Sequence, residues 1–202
     1  MKRWLTPAWR NRLLALIALG GLQGAIGWWM VSSGIGDTSR VDVAPYRLMV
    51  HFMLALIIIV FVQQLWLSLS NRSEARHTAG RPWAIALFAL VLLQMALGAL
   101  VAGLDSGRSY NVWPLMAGEL VPSHYIENQL GLRSLFEGRA ATQFNHRLLA
   151  YMLWAVSLIA AWRMRGSSHA RLFTILAALV TLQAVWGILT LLHAAPMGLA
   201  LV

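Results

Sequence analysis

The chain has 202 residues, 59% hydrophobic and only 11% charged, with ten Trp, nine Met and no Cys. Its formal net charge of +9 invites a nucleic-acid reading, but that needs a basic face on a soluble module, and here the cations stand at the ends of apolar runs, so nucleic acid is excluded as a partner. The lack of cysteine excludes disulfides, iron–sulfur clusters and thiolate metal sites, which leaves His, Met, carboxylates or a bound cofactor for any metal chemistry.

Apolar runs of about 18 or more residues read as transmembrane helices, and five occur, at about 13–31, 46–69, 82–104, 143–162 and 171–192. The expected fold class is all-α, a polytopic membrane helix bundle. The first run is long and glycine-rich and has no convincing small-x-small cleavage site, so it is expected to stay in the membrane as the first helix. It carries "LQGAIG", with Leu22, Gln23 and Gly27, and Gly20, Gly21 and Gly24 extend a small-residue face that is expected to pack against a neighbour. The second run opens "YRLMVHFMLAL", with Arg47 one turn before His51. The third carries "LQMALG", with Leu93, Gln94 and Gly98.

A long outer loop, 105–141, contains "YNVWPLM" and "SHYIENQLGLRSLF". A connection of that length is often functional. Its apolar residues are expected to form a short amphipathic segment near 123–137 on the membrane surface, either capping whatever the bundle holds or serving as an interfacial anchor. The fourth run begins "FNHRLLAYML", with Asn145, His146 and Arg147, and the fifth carries "LQAVWG", with Leu182, Gln183 and Gly187.

Lys2, Arg3, Arg10, Arg12, Arg72, Arg76, Arg81, Arg163, Arg165 and Arg171 flank the spans on one side, whereas Asp37, Asp42, Asp105, Glu119, Glu127 and Glu137 fall on the other. The positive-inside rule therefore places the N-terminus and the loops near 70–81 and 163–170 in the cytoplasm.

Three spans share L-Q-x-x-x-G. The first two of these are each followed by an outer loop and a span bearing a histidine near its outer end, His51 or His146. The repeating unit is a helix hairpin, and such repeats build membrane bundles with sites at their interfaces. The third unit starts with the fifth span and stops at "HAAPMGLALV", so repeat logic alone expects a further span with a third histidine. The Q-x-x-x-G motif itself reads as packing: glycine permits close approach, and a membrane glutamine hydrogen-bonds a neighbouring helix.

His77 and His169 sit in short basic loops and receive no chemistry, and His124 and His193 have no repeat partner. His51 and His146 differ, because they are expected to lie inside spans, about 6–8 Å below the outer surface at about 1.5 Å per residue. An ionisable residue there is costly and faces the bundle interior, which makes a site the starting hypothesis; the competing reading is a histidine hydrogen-bonded to a neighbouring helix. Without thiolates or intramembrane carboxylates to hold a bare ion, the natural candidate is a haem between helices with imidazole as axial ligand. Arg47 and Arg147 read either as propionate partners or as interfacial snorkelling cations.

The segments "LLALIALGGLQGAIGWWMVSSG", "APYRLMVHFMLAL", "GALVAGLDSGRSYNVWPLM" and "QFNHRLLAY", in this order, resemble the haem A synthases of cytochrome-oxidase biogenesis, in their proteobacterial and mitochondrial form. The likeness runs over nearly the whole chain. It implies an eight-span protein of two similar four-helix bundles, each with a pair of histidines near its outer face, in the bacterial inner membrane. On that resemblance, residues 1–81 are the second hairpin of the N-terminal, substrate-haem bundle and 82–202 an incomplete C-terminal bundle that holds haem b. His51 maps to the catalytic site, where haem O has a ring methyl oxidised to formyl, and His146 to the haem b ligands; Arg47 and Arg147 are expected as haem-binding residues from their positions beside the two histidines. The two histidines then serve different haems.

The resemblance also implies that the first two spans, with an outer-loop glutamate and a histidine, and the last span, with the partner of His146, are missing, so that this chain alone is expected to be inactive. Haem O synthase, oxidase assembly factors and an unidentified electron donor are the implied partners, beside haem O and membrane lipid. Two other classes remain open, a haem b electron-transfer protein and a non-catalytic scaffold of oxidase assembly.

Overall fold

The computed structural model describes residues 6–35, 43–69 and 79–196. Lys2, Arg3, Asp37, Asp42, Arg72, Arg76 and His77, all used in the sequence reading, lie outside the described residues. Among the described residues five helices are long and apolar enough to cross a membrane: α1 (Pro7–Val31), α2 (Pro45–Leu69), α3 (Arg81–Gly103), α6 (Arg139–Met164) and α7 (Ala170–Leu192). Two four-residue helices, α4 (Ser106–Ser109) and α5 (Ser134–Glu137), lie between α3 and α6.

Helix starts follow caps and prolines rather than hydropathy. The α1 helix begins six residues before its apolar run because the Thr6 hydroxyl accepts from the backbone N–H of Trp9 at 3.4 Å and Pro7, fixed near the helical φ, takes the first position. Gly138 is extended and ends the preceding turn, so α6 begins at Arg139, ahead of the expected 143. The Thr142 hydroxyl donates back to the Gly138 carbonyl at 2.8 Å and secures this first turn.

The chain divides into two compact units, Met1–Arg76 and His77–Val202. In the first, α1 and α2 form an antiparallel hairpin. Its mouth is closed by the Ala44 N–H donating to Ser33 Oγ at 2.9 Å and by the edge-on rings of Trp29 and Tyr46, with centroids 6.1 Å apart. No residue of α1 and only Leu54 of α2 is buried within the unit, as suits helices whose outward apolar faces meet lipid rather than water. The expected packing face of Gly20, Gly21 and Gly24 meets nothing within 4 Å of where their Cβ atoms would stand, so it is not what joins α1 to α2.

In the second unit α6 runs antiparallel between α3 and α7. Leu87, Leu153, Ala160, Met164 and Phe173 form its core, with Trp83, Leu90 and Leu176 packed around it. Fully buried Ala160 and nearly fully buried Ser157 let the helices approach closely. Gly80 serves the same end at the start of α3, since a Cβ there would lie 3.0 Å from the Phe173 ring.

Between α3 and α6 the chain folds into a lid, residues 104–138. Asp105 turns α3 into α4 with φ +50°, a conformation that short polar side chains tolerate. Ala117 and Gly118, both at positive φ, close a tight turn in which Met116 and Glu119 exchange backbone hydrogen bonds at 2.9 and 3.1 Å. The expected amphipathic segment near 123–137 is not one helix. The Glu127 N–H donates to Ser134 Oγ at 2.9 Å, and the Glu127 carbonyl accepts from both Leu130 and Gly131, so the segment doubles back and only Gly131–Arg133 (a 3-10 turn) and α5 are helical.

Candidate functional site

The histidine of α2 is gripped by α1. His51 lies six residues past Pro45, and its ring faces Gly27, where a Cβ would stand 3.0 Å from Cε1 and 3.4 Å from Nδ1. One turn earlier on α1, the Gln23 amide N–H donates to His51 Nε2 at 3.3 Å and to the His51 carbonyl at 3.2 Å. Residues i and i+4 share a helix face; the glycine makes room for the imidazole and the glutamine reaches its Nε2.

The same parts recur in the second unit. His146 lies seven residues past Arg139, and a Cβ at Gly98 would come within 3.3 Å of its Cε1. The Gln94 amide nitrogen lies 3.1 Å from His146 Nδ1 and 3.2 Å from Nε2. The Q-x-x-x-G motif packs as expected, with glycine at the close approach and glutamine hydrogen-bonded to the neighbouring helix, and in both hairpins what its two named residues meet is the histidine of the next long helix. On α7, Gln183 and Gly187 are exposed, and nothing lies within 4 Å of where a Gly187 Cβ would be.

Both arginines flank their histidines but hold backbone. Arg47 Nη1 donates to the Trp29 carbonyl at 2.7 Å, at the C-terminal end of α1, where the helix dipole favours a cation, and its guanidinium lies 4.7 Å from the Trp29 ring centroid. Arg147 donates to Tyr110 O at 2.7 Å and Leu115 O at 3.4 Å and so ties the lid to α6. In each the Nε atom is buried without a partner.

Further ties fasten the lid over the His146 end of the unit. Gln143 donates to Tyr110 O at 2.9 Å, the Tyr125 hydroxyl to Asn145 Oδ1 at 2.9 Å, and the Trp113 indole to the Tyr151 hydroxyl at 2.9 Å. Tyr125 also meets Phe144 edge to face, with centroids 5.5 Å apart. The lid thus docks on the α6 face shared by Gln143, Arg147 and Tyr151 and on Phe144 and Asn145 beside it, while His146 turns toward α3. Sequence reasoning missed Gln143, Tyr110 and Tyr125, which no motif marks.

His124 is exposed and lines a cavity of about 660 Å³ with Glu127, Glu137 and Arg139. His193 is exposed beyond α7 with its Nδ1 2.8 Å from the Leu189 carbonyl, and His169 sits in the α6–α7 turn beside Ser168. Among the described residues no three His, Cys, Asp or Glu side chains converge as a metal-ion site.

What the cradles offer is a single imidazole apiece, beside buried polar atoms without partners: His51 Nδ1, Gln23 Oε1, Gln94 Oε1 and the two arginine Nε atoms. Buried polar atoms are ordinarily satisfied. A bare ion needs more protein ligands than these; a haem, whose macrocycle already supplies four, needs only axial imidazole and partners for its carboxylates, so the residues fit that group.

The whole chain, residues 1–202, matches the family model described as cytochrome oxidase assembly protein. A protein named heme A synthase from Hyphomonas neptunium is 63% identical over 202 residues, covering 100% of this chain and 58% of its own length. Proteins of the same name from Rhodopseudomonas palustris and Dinoroseobacter shibae are 46% and 42% identical, over 96% of this chain and 54% and 53% of theirs. The chain thus spans a little over half the length of these relatives. No solved structure matches it.

Proposed function

Because this multi-pass membrane chain belongs to the cytochrome oxidase assembly protein family, matched along its whole length, we propose that it serves haem A formation, as the printed name of its relatives reads, by oxidising a ring methyl of haem O to formyl. The observation that carries this reading is the recurrence of one arrangement, glutamine and glycine on one helix and histidine on the next, in both units. In this proposal His51 is the axial residue for substrate haem O, His146 for a resident haem b, and the free Nε–H groups of Arg47 and Arg147 meet propionates. Bound haem supplies the redox-active iron. The chain's own residues hold the imidazoles at fixed depth, and the lid, tied to α6 through Tyr110, Tyr125 and Arg147, keeps water from the second site.

We place the protein in the bacterial inner membrane with its N-terminus in the cytoplasm, with haem O synthase, oxidase assembly factors and an electron donor as partners. Residues 1–202 expressed alone are expected to make no haem A, since each unit holds one cradled histidine and the third cradle, on α7, stands open.

The test separates the two histidines. His146→Ala removes the b-type absorption band, whereas His51→Ala spares that band and abolishes conversion of haem O. If His51→Ala removes haem b and leaves conversion intact, the assignment is reversed. The histidine helices alone equally permit a haem b electron-transfer protein, and the product decides: membranes that show reversible haem b reduction but never yield haem A refute the enzyme reading.

A further inference from the structure

We propose that the end of α6 opposite the lid carries a site for one anionic phospholipid, with Trp162, Arg163 and Arg165 taking its phosphate and the exposed apolar residues one turn deeper taking its acyl chains. The Arg163 guanidinium lies 5.3 Å and the Arg165 guanidinium 5.0 Å from the centroid of the same Trp162 ring. Trp162 is 55% exposed, and both arginines are exposed. A guanidinium that lays its face on an aromatic ring keeps the N–H donors around its rim, a planar fork that matches phosphate oxygens two at a time. Among the described residues neither guanidinium makes an ion pair or a hydrogen bond, and nor does the Trp162 indole N–H.

Helix polarity explains part of this arrangement. The C-terminal end of α6 favours cations, which accounts for the charge but not for two guanidiniums gathered on one ring. Both lie about 5 Å from one centroid, so they stand within about 10 Å of each other, close to the screening length at moderate salt. Arg171, exposed in the first turn of α7, adds a third cation to this end of the unit. All four acids among the described residues lie at the other end, in the lid. Cations held this close repel one another until an anion joins them.

The source of that anion follows from position. Trp162 stands at the end of a helix long and apolar enough to cross a membrane, where indole rings seat at the level of lipid headgroups. Leu158 and Ile159, one turn toward the membrane centre on the same face of α6, are 40% and 46% exposed. A free phosphate meets the cations but gains nothing from these two side chains; a phospholipid meets both at once. A zwitterionic lipid brings an ammonium beside its phosphate, which the three arginines oppose, so the site selects an anionic headgroup.

The experiment uses the full chain, purified in mild detergent and stripped of lipid. Bound lipid is counted by native mass spectrometry after addition of phosphatidylglycerol, phosphatidylcholine or inorganic phosphate, and circular dichroism checks that each variant is folded. The wild type is expected to retain phosphatidylglycerol at least about tenfold better than phosphatidylcholine. Arg163→Gln with Arg165→Gln is expected to lower that retention about 25-fold, roughly fivefold for each cation removed. Trp162→Leu changes no charge, and a severalfold loss of phosphatidylglycerol on it separates a built site from diffuse attraction. Arg163→Lys with Arg165→Lys, which keeps both charges without the stacking fork, is expected to lose as much, and it decides the matter if Trp162→Leu fails to fold. Equal retention of the two lipids overturns the proposal, as does displacement of phosphatidylglycerol by inorganic phosphate, which makes the ligand a free anion. Retention that follows charge alone, unchanged in the leucine and lysine variants, overturns it too, and so does a Trp162→Leu loss equal for both lipids, which marks an acyl contact only.

Discussion

At the scale of single residues the two cradles are unequally tight. A Cβ at Gly27 would stand 3.0 Å from His51 Cε1, while the one at Gly98 would stand 3.3 Å from His146 Cε1. Alanine in a helix interior is favoured over glycine by about 1 kcal/mol, so neither substitution is expected to unfold its hairpin, and the damage falls on ring placement. On the proposed function, Gly27→Ala placed at the protein's own locus is expected to lower haem A yield in cells severalfold while the melting temperature in detergent holds or rises. Gly98→Ala is expected to be milder, because the ring needs to give only a few tenths of an ångström. Equal yields from both variants and the wild type contradict the cradle geometry. The fourth-residue spacing of Gln23 and Gly27 was plain in the sequence, and so was a histidine on the next span of each hairpin. That the ring falls between them depends on the register of one helix against the other, which no single-helix pattern fixes.

At the scale of elements, the long helices were legible because apolar runs of about 18 or more residues are long enough to cross a bilayer and longer than a buried core helix calls for. Their starts were less legible. Thr6, Pro7 and Gly138 act through caps and backbone angles that hydropathy does not register. The lid was legible only as a long connection: its fold depends on Ser134 reaching back to Glu127, on positive φ at Ala117, Gly118 and Gly131, and on docking against α6. That docking is testable at the Tyr125 hydroxyl, which donates to Asn145 Oδ1 at 2.9 Å. In a double-mutant cycle of Tyr125→Phe and Asn145→Ala, hydrogen exchange of the lid amides is expected to report a coupling of about 0.5–1.5 kcal/mol, the size of one hydrogen bond. Strict additivity means the lid is held without that bond. Gln143→Leu is expected to loosen the lid only by about 0.5 kcal/mol, the low end of that range, since the Tyr110 carbonyl keeps its bond from Arg147 at 2.7 Å.

At the scale of the whole molecule, charge decides which way the helices run through the membrane. All four acids among the described residues, Asp105, Glu119, Glu127 and Glu137, lie in the lid of the second unit, whereas Arg81, Arg163, Arg165 and Arg171 stand at the opposite ends of its helices; in the first unit Arg10 and Arg12 stand at the start of α1. In the second unit, at the lid end, Arg133 pairs with Glu137 at 2.9 Å and Arg147 holds backbone carbonyls. Orientation follows the count of Lys and Arg in short loops near span ends rather than net charge, and that count favours the side bearing the α6–α7 turn as cytoplasmic. The chain has no cysteine, so single cysteines report without background. Leu120 in the lid is 83% exposed, and Ser168 is exposed in the α6–α7 turn. In intact spheroplasts a membrane-impermeant maleimide is expected to label Leu120→Cys and to spare Ser168→Cys until the membrane is opened. The opposite pattern inverts the topology of the second unit and moves the His146 cradle to the cytoplasmic half of the bilayer; labelling of both sites in sealed cells means that α6, which joins them, does not cross.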